Sequence, residues 1–130
     1  MPEVVQIFVT TPSLDEARPF YEDALRLEPE RVGETSVEYA TRDEGGGASL
    51  KVQEEFDDET FAEFGLRPPP EPPARGDGAV FVLGVESIDE TVKRVENGVG
   101  EVVQKQRSVP WGDRIALVRS PAGYVYELRD

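Results

Sequence analysis

The sequence contains no cysteine and no histidine. Without cysteine there are no disulfides, no thiolate metal sites and no cysteine nucleophiles. Without histidine, the commonest metal ligand is gone, and with it Ser-His-Asp and Cys-His nucleophile systems and imidazole pH switches. Basic charge is also short: 14 Lys plus Arg oppose 27 Asp plus Glu, for a net charge of −13 and a pI near 4.4. Nucleic-acid phosphates and anionic membranes need clustered cations, so neither is an expected partner. No apolar run approaches the roughly 18 residues of a membrane span. Met1 to Thr10 carries no basic leader-like segment, and the expectation is a cytoplasmic protein.

What is present begins with 130 residues, enough for one domain with its own core. The acids are spread along the whole chain, and lysine is confined to Lys51, Lys93 and Lys105 while arginine supplies the rest of the basic charge. That composition resembles proteins of salt-accumulating halophiles, in which high salt screens self-repulsion. A cationic ligand remains open beside that more economical reading.

Val4 to Thr10 is β-rich and stops at Thr11-Pro12. Ser13 to Glu16 reads as a capping box, followed by Leu14, Ala17, Phe20, Tyr21, Ala24 and Leu25 at helical spacing, which predicts an amphipathic helix to about Arg26. Glu34 to Thr41 and Ala48 to Glu54 read as strands around the turn Asp43-Glu44-Gly45-Gly46-Gly47. Residues 55–78 form a connector, with a short helix near Glu59 to Phe64 and a stiff proline-rich stretch from Arg67. Ala79 to Val85 is another apolar strand. Ser87 then caps a helix with Ile88, Val92 and Val95 inward, ending at Asn97-Gly98. Glu101 to Val109, Arg114 to Arg119 and Tyr124 to Arg129 complete three strands, the last hairpin turning at Ser120-Pro121-Ala122-Gly123.

The two halves read as one unit written twice. Ser13-Leu14-Asp15-Glu16 matches Ser87-Ile88-Asp89-Glu90 at an offset of 74, and Gly47 to Val52 matches Gly123 to Leu128 at 76. Each half is an expected βαβββ module, at residues 1–54 and 79–130, giving an α+β fold with a cupped mixed sheet.

This pattern resembles the vicinal oxygen chelate superfamily, which includes glyoxalase I, extradiol dioxygenases, fosfomycin-resistance enzymes and bleomycin-resistance proteins. The residues that carry the resemblance are Leu14-Asp15-Glu16-Ala17 with Phe20-Tyr21 and Leu25, Pro110-Trp111-Gly112-Asp113-Arg114, and Ser120-Pro121-Ala122-Gly123. The resemblance puts the metal-ligand positions of metal-dependent members at Gln6, Lys51, Val80 and Glu127, of which Glu127 alone is an ordinary ligand. A divalent cation wants about six oxygens, so no metal and no cofactor are expected there.

In such a fold the side chains of Lys51 and Glu127 should converge in the cup, either orienting a polar ligand group or simply filling a disused metal site. Strand alternation from Gln6 and Glu127 turns Phe8, Thr10, Val80 and Val82 to the same face. Ile7, Val9, Phe81, Leu83, Tyr126 and Leu128 should then face the helices as core. Trp111 either closes one end of the groove or seals a module interface, and Arg114 joins the candidate ligand-binding residues from the same segment. The stretch from Pro110 to Gly123 is most similar to bleomycin-resistance proteins, which are metal-free dimers that sequester a cationic antibiotic.

The resulting expectation is a metal-independent small-molecule-binding protein, forming a homodimer whose modules pack within one chain or swap between chains. The alternative is a glyoxalase-like lyase or isomerase, with Glu127 as base and an unconventional metal or Lys51 as electrophile. Enzyme and binding protein both remain open at this stage, as does a third option, an interaction module with a vestigial cup.

Overall fold

Both helix-start signals become caps in the computed structural model, which describes residues 2–41, 47–72, 75–110 and 112–130. Ser13 Oγ accepts the Glu16 N–H at 3.2 Å, opening α1 (Leu14–Pro19), and Ser87 Oγ accepts the Glu90 N–H at 3.2 Å, opening α3 (Ile88–Asn97). A second acceptor reaches each helix from the end of its own module. Glu54 Oε1 takes the Leu14 N–H at 3.2 Å, and Asp130 Oδ2 takes the Ile88 N–H at 3.0 Å. The duplication inferred from short sequence matches therefore extends to individual hydrogen bonds, each favoured by the positive end of its helix.

The first helix departs from expectation after one and a half turns. Pro19 has no N–H to donate, and the chain continues through a wider π-helical turn, Phe20–Ala24, in which the Leu25 N–H reaches Phe20 O at 3.0 Å. The apolar stripe survives the change: Leu14, Ala17, Phe20, Tyr21, Ala24 and Leu25 are all buried. Arg26 follows in the left-handed region, at φ 60°, while the Leu27 N–H closes the helix end onto Tyr21 O at 2.9 Å.

Module one forms a four-stranded sheet from β1 (Gln6–Thr11), β2 (Glu28–Val32), β3 (Ser36–Ala40) and β4 (Ser49–Glu54), in the order β1-β4-β3-β2. Module two repeats that order with β5 (Gly76–Gly84), β6 (Glu101–Val109), β7 (Gly112–Arg119) and β8 (Tyr124–Arg129), as β5-β8-β7-β6. In each sheet the first and last strands pair in parallel and the other pairs are antiparallel. The expected α+β fold of two βαβββ modules is what forms.

Strand β2 escapes the sequence reading because it is exposed at every position and shows no apolar alternation, and Pro29 is tolerated only because the strand lies at a sheet edge. Strand β5 begins at Gly76, three residues earlier than expected. The turn residues 43–46 and Trp111 lie outside the described residues.

The connector holds α2 (Asp58–Glu63), as expected. Asp57 caps it, and Phe61 is buried edge-on to Phe56 with ring centroids 5.5 Å apart. Arg75 ties this segment down: its Nε donates to Pro70 O at 2.6 Å, its Nη1 to Thr10 O at 3.4 Å, and its Nη2 pairs with Glu55.

One core serves both halves. Phe20 and Tyr21 from the first helix meet Tyr126 of β8 at centroid distances of 5.8 Å each, and Tyr21 stacks on Tyr39 of β3 at 5.6 Å. Val9, Tyr126 and Leu128 are buried as expected, and Ile7, Phe81 and Leu83 pack against them. Arg94 of α3 adds a polar tie by donating from Nε to Ala24 O at 2.8 Å. Close approach makes Gly100 obligatory, since at φ 99° a Cβ there would stand 2.6 Å from Phe20 Cδ1. Among the described residues, no helix is long and apolar enough to cross a membrane.

Candidate functional site

The period-two alternation that buries Val9 beneath the helices turns Phe8 to the opposite face of β1. There it starts a ladder across the first sheet, with Phe8 beside Lys51, Lys51 beside Glu38, and Glu38 beside Arg31. Phe8 is 48% exposed, and Lys51 Nζ lies 5.6 Å from its ring centroid. Gln6 donates to Glu38 Oε1 at 2.6 Å and to Ser49 Oγ at 3.1 Å, and Ser49 Oγ also donates to Glu38 Oε1 at 3.1 Å. The second sheet carries the corresponding ladder, Val82 beside Glu127 and Glu127 beside Leu117. Val80 and Val82 are 46% and 51% exposed.

Among the described residues Lys51 and Glu127 form no ion pair with each other. Lys51 sits on the first sheet and Glu127 on the second, and each finds a nearer partner. Arg129, two residues along β8 on the same face, donates from Nε to Glu127 Oε2 at 2.8 Å, leaving that carboxylate side chain 12% exposed. Lys51 rests against Phe8 instead.

Two other expected site residues are placed elsewhere. Thr10 is buried, with its Oγ1 3.5 Å from the Tyr124 hydroxyl, so it joins the modules instead of lining an open face. Arg114 stands two residues before Ala116 on β7, on the face that packs beneath the helices, opposite to the face of Leu117 and Glu127. It donates to Asp130 Oδ2 at 3.3 Å, the same oxygen that caps α3. The sequence reading missed Arg31 because the strand that carries it was not recognised. The Gln6–Ser49–Glu38 cluster depends on pairing across three strands, which local sequence spacing does not reveal.

The four positions that resemblance assigns to metal ligands do not fit a divalent cation. The Gln6 amide nitrogen is committed to Glu38 and Ser49, Lys51 brings a positive charge, Val80 has no donor atom, and Glu127 is held by Arg129. Among the described residues, no group of three or more metal-ligating side chains is assembled. Two clefts border α3: one of about 540 Å³ includes Asp23, Lys93 and Asn97, and one of about 740 Å³ includes Arg26 and Arg94 together with Glu28, Glu86 and Glu90.

The profile of the Glyoxalase/Bleomycin resistance protein/Dioxygenase superfamily matches residues 3–128. No curated protein matches the sequence. Among solved structures, a glyoxalase-related enzyme from Fulvimarina pelagi superposes with a TM-score of 0.77 at 16% identity, covering 98% of this chain and 87% of the other. The trypanothione-dependent glyoxalase I of Leishmania major gives 0.69 at 20% identity, covering 100% and 87%. An antibiotic-binding protein from a Streptomyces species gives 0.64 at 18% identity, covering 99% and 95%. At these identities the likeness is one of fold.

Proposed function

Because the chain belongs to the glyoxalase/bleomycin resistance protein/dioxygenase superfamily, we propose that it is a metal-independent small-molecule-binding protein that uses the open faces of its two sheets. The observation that carries this reading is the chemistry at the four inherited positions. Glu127 is paired with Arg129, Gln6 offers one neutral amide oxygen, and the other two supply an ammonium and a hydrocarbon. What remains around them is exposed apolar surface, Phe8, Val80 and Val82, beside a few polar groups, the composition of small-molecule sites. The Streptomyces protein of the same fold that is described as antibiotic-binding supports a binding role.

The lyase or isomerase alternative needs Glu127 as a base, and that carboxylate is already engaged by Arg129 Nε at 2.8 Å. Homodimerisation belongs to the same proposal, since a second copy would wall in the open side of Phe8 and Val82. We place the protein in the cytoplasm of a salt-accumulating cell, where its charge of −13 is screened.

Elemental analysis of the purified protein tests the metal-independent reading, and a stoichiometric divalent metal that supports activity would overturn it. A thermal-shift screen against cationic glycopeptides, aldehydes and aromatic metabolites should yield a stabilising ligand, because binding to the native state alone raises stability. A screen without any stabilising compound would refute the binding role. Light scattering at matched salt should give twice the 14.4 kDa chain mass.

A further inference from the structure

The open face of the first sheet carries Lys51 and Arg31 as well as Glu38 and Glu28, so it does not share the excess of acid of the chain as a whole. Its ladder runs Phe8, Lys51, Glu38, Arg31, with two cations to one anion. Glu38 is the natural partner for Lys51 across the strand pair, but its Oε1 already accepts Gln6 and Ser49. Among the described residues Lys51 makes no ion pair. Lys51 is half-buried, and its Nζ lies 5.6 Å from the ring centroid of Phe8, a residue that is 48% exposed. On the second sheet the corresponding position is Glu127, and Arg129 meets its charge at 2.8 Å. Of this matched pair of charges, Glu127 forms an ion pair within the chain, whereas Lys51 forms none among the described residues although Glu38 stands opposite it across the strand pair.

An uncompensated ammonium beside an exposed aromatic ring complements one class of molecule. A carboxylate gives the ammonium the charge-assisted hydrogen bonds it lacks, and a flat apolar ring covers Phe8 and the methylene stem of Lys51. A cation would meet Lys51 as a like charge. We infer that the ligand of this face is a small aromatic carboxylate, and not the cation that the overall acidity invites; the inference rests on the small-molecule-binding reading above.

Amide NMR spectra of the nitrogen-labelled protein test it, with benzoate, benzamide and benzylammonium titrated separately at matched ionic strength. Benzoate should shift the amides of Phe8 and Lys51 and bind about tenfold more tightly than benzamide, the factor that one charged hydrogen bond gives. Lys51→Met should weaken benzoate by a similar factor, while Lys51→Arg should restore it to within about twofold. Benzylammonium binding these strands as tightly as benzoate, or benzoate binding that Lys51→Met leaves unchanged, would overturn the choice of an anion and leave small-molecule binding standing. If none of the three probes moves the β1 and β4 amides, the aromatic-acid inference falls, and the thermal-shift screen separately decides whether the protein binds small molecules at all.

Discussion

The hydroxyls of Tyr21 and Tyr126 stand 2.7 Å apart in the core, joining the first helix of one module to the last strand of the other. Removing either hydroxyl leaves its partner buried and short of a hydrogen bond. Tyr21→Phe and Tyr126→Phe should each cost about 1–2 kcal/mol in urea unfolding. The double variant should cost less than the two together, because no orphaned hydroxyl remains; strict additivity would show that the pair is not coupled.

Burial raises the Tyr21 hydroxyl from its ordinary value of 10.0 to about 12. Tyr126 is raised by the same cause, and Tyr39 by burial and by its hydrogen bond to Glu22. A phenol whose folded pKa lies above its unfolded one holds its proton longer in the native state. Its contribution to stability is full below pH 10 and is lost as pH climbs toward 12. Phenolate absorbance in native protein at a pH near 10.5 should therefore come from fewer than two of the four tyrosines, and full ionisation should coincide with the loss of circular dichroism. Independent titration of all four in folded protein would contradict this.

Arg26 occupies a left-handed backbone position at φ 60°, where glycine has no steric penalty, and it makes no hydrogen bond or ion pair among the described residues. Arg26→Gly should therefore raise the unfolding free energy by about 0.5–1 kcal/mol. A loss of stability would mean that the long side chain contributes packing that outweighs the strain.

The Arg75 side chain is 2% exposed and is shared among Glu55, Thr10 O and Pro70 O. Arg75→Ala should release the connector while leaving both sheets paired. Limited proteolysis should then cut between Asp58 and Pro72 at least about tenfold faster than in the parent, with a stability loss of about 1–3 kcal/mol. Unchanged cleavage would show that the connector is held by Phe61 alone.

The parts of the fold legible in the sequence were those specified locally. Ser13 and Ser87 announce their helices through nearest neighbours, and Ile88, Val92 and Val95 keep helical spacing against a buried face. The π-helical turn at Phe20 was hidden because it buries the same stripe that an α-helix would. Strand β2 was hidden because an exposed edge needs no apolar alternation. At the site, alternation correctly put Phe8, Val80 and Val82 on open faces. It could not foresee that Glu127 prefers Arg129, which lies on the same strand, to Lys51 on another sheet. Choice of a charge partner depends on distances across the assembled fold.

The position of Tyr126 also governs when this protein can fold. It sits in β8, the last of the strands to be synthesised, yet it fills the centre of the core that Phe20 and Tyr21 need. While the ribosome is still making the second half, the aromatic face of the first helix has no β8 to pack against. Completion of the core must wait for β8 to emerge, so loss of that strand would leave the aromatic face of the first module unpacked.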